Sequence, residues 1–100
     1  MLNEENKKLC AKVIKKYGKT KQTIKVAEEC GELVRAASRV LAGNLSNAAW
    51  ENYAEEVVDV IVMTEQARQM LQMSDEEINK LAKYKLTKAL EKEELPFTTD

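Results

Sequence analysis

Two pairs of carboxylates, Glu29/Glu32 and Glu56/Asp59, mirror each other about residue 44 of this chain. Each pair has i, i+3 spacing and so lies on one face of a helix. The mirror centre falls on Gly43-Asn44, the strongest turn signal in the middle of the sequence. Helices on either side of that turn, folded back on each other, bring Glu32 level with Glu56 and Glu29 level with Asp59. All four acids then converge on one small volume. Like charges at that range repel and resist desolvation unless a proton or a cation compensates them. The pattern predicts a metal site built on a helical hairpin.

The surrounding periodicity is helical throughout. A first helix is expected from about Asn3 to Tyr17, with Leu9, Val13, Ile14 and Tyr17 at helical spacing and Gly18 as its stop. A second starts near Thr20 as N-cap and carries Ile24, Ala27, Gly31, Val34 and Leu41 on one stripe, ending at Ala42-Gly43-Asn44. The third, from about Ser46 to Gln72, is the most apolar. The fourth opens on Ser74, which has capping-box spacing to Glu77, and runs to a stop near Leu95-Pro96, with Phe97 to Asp100 as a tail. No segment has strand period. The expected fold is a single all-α domain over residues 1–100, four-helix bundle-like. With only 100 residues, such a domain gains from self-association to bury its apolar faces.

Composition narrows the function classes. Net charge is −1, so no basic pull toward nucleic acid or anionic membrane exists. No apolar run approaches the ~18 residues of a membrane span, and the polar, acidic start MLNEENKKLC does not read as a signal peptide. A cytoplasmic protein is expected. Cys10 and Cys30 are the only cysteines and histidine is absent. The cysteines therefore read as small buried side chains, with no zinc site and no disulfide.

Asp59 lies within Val57-Val58-Asp59-Val60-Ile61-Val62-Met63, a run expected to be buried on most faces. There it needs a cation, a proton or a basic partner such as Arg35 or Arg39. Oxygen ligands without histidine favour a hard cation, Mg²⁺ or Mn²⁺, over zinc. The lack of histidine also removes the Glu-x-x-His motifs of di-iron bundles.

Glu29-x-x-Glu32 within QTIKVAEECGELVRA (22–36), followed by Glu56-x-x-Asp59 within YAEEVVDVIVM (53–63), resembles the signature of the MazG-like all-α nucleoside triphosphate pyrophosphatases. That superfamily also holds dimeric dUTPases and phosphoribosyl-ATP pyrophosphatases. The resemblance covers about residues 20–92. It implies Mg²⁺-dependent hydrolysis of a nucleoside triphosphate to the monophosphate and pyrophosphate, with Glu29, Glu32, Glu56 and Asp59 as metal-binding catalytic residues. It also implies a homodimer or homotetramer with a nucleotide substrate.

Further contacts are expected around this site. Lys85, Lys88 and Lys92 form an i, i+3, i+7 stripe that is either a solvated lysine face or a phosphate contact, and the resemblance places basic residues on such a last helix. Lys25 precedes Glu29 by one turn and serves either phosphate or an i, i+4 pair with that glutamate. Gln22 matches a polar position upstream of the first acid pair in the family. Trp50 or Tyr53, before Glu56, either stacks on a base or fills a bundle end or a subunit interface. A cluster carboxylate, Glu28 or Glu55 would position the attacking water. The competing expectations are a phosphoribosyl-ATP pyrophosphatase and a non-catalytic helical binding module.

Overall fold

The computed structural model describes residues 1–91. They form four helices: α1 (Glu4–Tyr17), α2 (Lys19–Leu41), α3 (Asn47–Met70) and α4 (Asp75–Glu91). The expected stop near Leu95-Pro96, the tail and Lys92 lie outside the described residues.

Local chemistry sets each boundary. Asn3 Oδ1 accepts from the Asn6 amide at 2.8 Å, and Glu4 and Glu5 occupy the first turn of α1 while Lys15 and Lys16 occupy its last. Both sets of charges complement the helix dipole. Gly18 alone joins α1 to α2, with φ +90°. Thr20 lies inside the first turn of α2 rather than capping it, because Gly18 takes the N-cap position.

The α2–α3 turn is a Schellman motif. Gly43 has φ +99°, its amide donates to Val40 O at 3.0 Å, and the Asn44 amide donates to Arg39 O at 3.1 Å. Ser46 then caps α3 by accepting from the Ala49 amide. The same backbone pattern closes α3, with Gln72 in the left-handed position at φ +56°. Arg68 Nη1 holds that turn through Met73 O at 2.9 Å.

Helices α2 and α3 pack antiparallel along their length, and α1 lies across both. Gln22 Nε2 donates to Gln66 Oε1 at 2.8 Å, a pairing centred on residue 44 like that of the acids. Gln69 Nε2 reaches Lys7 O on α1 at 2.9 Å. Around these bonds the interior is thin. Among the described residues, the buried apolar side chains are Cys10, Ala36, Ala49 and Met63.

The structure fixes the facing of α2 and corrects the expected burial around Asp59. The stripe of α2 points outward: Ile24, Val34 and Leu41 are 56%, 65% and 87% exposed, and Ala27 and Gly31 are exposed beside them. The face of α2 turned to α3 instead carries Gln22, Val26, Glu29, Leu33 and Ala36. Asp59 is exposed too, as are Val57 and Val58. Within this chain α3 is covered on one side only, so the apolar run is not buried all round.

Helix α4 stands apart. No Cα of α4 comes within 8 Å of α1, α2 or α3, although Asp75, Ile78 and Asn79 share a cleft with Ile61, Glu65 and Arg68. Beyond Ala82 every described residue of α4 is exposed. The radius of gyration, 16.7 Å, exceeds the ~13 Å of a compact 100-residue domain. Among the described residues, no helix is long and apolar enough to cross a membrane.

Candidate metal centre

The antiparallel register of α2 and α3 brings Glu29, Glu56 and Asp59 together. One carboxylate oxygen from each lies within 4.8 Å of the others. Oxygens bound to one magnesium ion are at most ~4.2 Å apart, since Mg–O bonds are about 2.1 Å. At least two of the three separations on one octahedral ion are cis, ~3.0 Å at that bond length, so side-chain rotations that move the oxygens by up to ~2 Å would bring all three to one ion.

Glu56 is the centre of the group. Its Oε2 is covered by protein and has no hydrogen-bond partner. Burial pushes the Glu56 carboxyl above the ordinary carboxylate range, and the charges of Asp59, Glu32, Glu29 and Glu55 add to that push in this order. A covered acceptor facing other acids is unfavourable in the bare protein and favourable beside a cation.

Glu32 stands at the edge of the cluster. It is close enough to act on Glu56, yet its Oε2 lies 3.4 Å from Arg35 Nη1. No ion pair to Asp59 is present among the described residues, so neither Arg35 nor Arg39 neutralises it. Lys25 Nζ lies 3.7 Å from Glu28 and 3.9 Å from Glu29. It makes the i, i+4 pair and places one ammonium at the rim.

The other expected contacts are dispersed. Gln22 is buried against Gln66. Tyr53 stacks on Trp50, centroids 6.1 Å apart and planes inclined by 22°. Lys85 and Lys88 are exposed on α4, whose Cα atoms stay more than 8 Å from those of the acid-bearing helices. Lys88 Nζ instead lies 3.6 Å from Glu91 and over the Tyr84 ring.

Gln66 is the site-proximal residue that sequence reasoning passed over. The mirror about residue 44 places it opposite Gln22, so the signal was present. A second polar cluster, Glu65 with Arg68, lies further along α3 and is structural. Arg68 Nε donates to Glu65 Oε1 at 2.9 Å and Gln69 Nε2 to Glu65 Oε2 at 2.8 Å. Those bonds hold the Glu65 carboxyl below its ordinary range.

No protein-family model, curated protein or solved structure matches this chain.

Proposed function

We propose that the chain is a divalent-metal-dependent nucleotide pyrophosphohydrolase that splits a nucleoside triphosphate into the monophosphate and pyrophosphate. The observation that supports this best is the covered, unpartnered Oε2 of Glu56 beside the carboxylates of Glu29 and Asp59. Within the cluster, lysine and arginine meet only the α2 acids, Lys25 at Glu29 and Arg35 at Glu32, and among the described residues Glu56 and Asp59 have no basic partner.

In this reading Glu29, Glu56 and Asp59 hold the metal, with Glu32 joining them by releasing Arg35. Magnesium or manganese, when bound, offsets phosphate charge and makes water a better nucleophile. Lys25 exchanges its glutamates for a phosphate oxygen. A cluster carboxylate, Glu28 or Glu55 accepts the proton of the attacking water. Lys85 and Lys88 enter from a second copy of the chain, because they lie on the exposed part of α4, beyond the cleft that Ile78 and Asn79 share with α3.

Self-association belongs to the same proposal. Ile24, Ala27, Gly31, Val34 and Leu41 follow a 3-4 spacing along the exposed side of α2. That is a helix-pairing seam, and its small residues allow close approach. A dimer or tetramer covers it.

The test is pyrophosphate release from the standard ribo- and deoxynucleoside triphosphates and from phosphoribosyl-ATP, with Mg²⁺ or with chelator. Metal-dependent release, abolished in Glu56→Ala of unchanged helicity, is the expected result. Preference for phosphoribosyl-ATP would assign the histidine-biosynthetic activity instead. Absence of turnover from folded protein with Mg²⁺ and with Mn²⁺ overturns the proposal.

A further inference from the structure

Helix α4 leaves α3 under the grip of one side chain. The Met73 amide donates to Arg68 O at 3.1 Å, and Met73 O accepts from Arg68 Nη1 at 2.9 Å. Arg68 therefore holds both backbone groups of the residue just before the Ser74 cap. A peptide unit is planar, so fixing Met73 O also fixes the Ser74 nitrogen and the direction in which α4 starts.

The guanidinium cannot turn away from that carbonyl. Its Nε and Nη2 donate to Glu65 Oε1 and Oε2, a planar fork that leaves Nη1 one position. Glu65 is locked in turn. Its Oε2 also accepts from Gln69 Nε2, which reaches Lys7 O of α1 as well. The Glu65 side chain is 10% exposed and that of Arg68 24%, so water competes little for these bonds. One node ties α1, α3 and the root of α4 together.

Nothing further along α4 shares that task. Its Cα atoms keep more than 8 Å from those of the other helices, and Asn79 is the last α4 residue to line the cleft with α3. Lys88 lies about 21 Å along the helix from Ser74, at ~1.5 Å per residue. A tilt of ~15° at the root thus moves Lys88 by about 5 Å, where ~1 Å of misplacement already costs a reaction about a hundredfold. Arg68 itself stands about 18 Å along α3 from Glu56 at the same rise, too far to touch the acids of its own chain.

We infer that Arg68 is a positioning residue: clamped by Glu65, it sets the splay of α4 and so decides where Lys85 and Lys88 reach the acid cluster of a second copy. This rests on the pyrophosphohydrolase reading for what the lysines meet, while the splay of α4 is measurable without turnover.

Arg68→Lys keeps a charge beside Glu65, but one nitrogen cannot hold both Glu65 oxygens and Met73 O. Spin labels at Lys12→Cys and Lys83→Cys, with Cys10→Ala and Cys30→Ser, report the α1–α4 distance by pulsed electron spin resonance in protein diluted with unlabelled chain. Arg68 should give one narrow distance, and Arg68→Lys a shifted or broadened one. In Arg68→Lys, kcat/KM should fall about tenfold or more, while the rise in melting temperature with Mg²⁺ stays as in wild type. Co-expression at equal levels with Glu56→Ala should recover about a quarter of wild-type turnover. Half of the dimers are then mixed, and each has one site where intact acids face an intact α4. A fold damaged by the substitution, or an action of Arg68 on its own acids, gives no such recovery and overturns the inference. An unchanged label distance in Arg68→Lys and in Arg68→Met overturns it too. Full turnover in Arg68→Lys does the same and leaves the activity standing. A wild type without turnover, whose label distance still follows Arg68, removes the pyrophosphohydrolase reading and keeps the setting of α4.

Discussion

Glu56 meets opposing demands. Its carboxyl binds a proton more tightly in the folded chain than in the unfolded one. Stability without metal therefore falls as pH rises from the ordinary carboxylate range through the raised value. Glu56→Gln should raise the melting temperature of metal-free protein at neutral pH and abolish the stabilisation by Mg²⁺, both measurable by calorimetry. Glu65 has the opposite sign. Its carboxyl is held low by Arg68 and Gln69, so its contribution is present at neutral pH and disappears as pH falls from the ordinary range through the depressed value. Glu65→Ala should cost about 2 kcal/mol, the typical worth of hydrogen bonds to a charged group, in urea unfolding at pH 7. At Gln72, exposed and at φ +56°, glycine relieves a left-handed backbone. Gln72→Gly should stabilise by about 1 kcal/mol in the same measurement.

At the scale of elements, α2 is a helix with two working faces. One carries Gln22 and Glu29 toward α3, and the other displays Ile24, Val34 and Leu41 outward. Leaving such a seam in water forgoes ~25 cal/mol for each Å² of apolar surface that a partner would cover. Val34→Lys with Leu41→Lys should therefore convert an oligomer to monomer in sedimentation, with helix content kept in the monomer. A wild-type chain that sediments as a monomer would refute the seam. Helix α4 is held by its cap and by the Arg68–Met73 contact rather than by a packed face. Ser74 Oγ accepts from the Glu77 amide at 3.1 Å, the expected cap.

For the whole molecule, the thin core and the acid cluster imply stability that depends on what binds. A divalent ion at a hundred times its dissociation constant should add about 2.7 kcal/mol, seen as a rise in melting temperature that chelator reverses. Much of this arrangement was legible in advance. The mirror about residue 44 predicted the α2–α3 register, since only a tight Gly43-Asn44 turn between straight helices preserves it. Periodicity placed the four helices of the described residues, because helical hydrogen bonds are local and need no partner. The Ser74 cap of α4 was legible too, whereas the expected Thr20 cap of α2 gives way to Gly18. The facing of α2 was not legible. Its apolar stripe and its α3-facing side are both compatible with burial, and within one chain the bends at Gly18 and Gly43 decide between them. Nor could spacing show that Asp59 is exposed, that Glu32 turns to Arg35, or that α4 leaves the other helices. Those depend on which surfaces the rest of the chain is long enough to cover, a sum over the whole fold that no local pattern encodes.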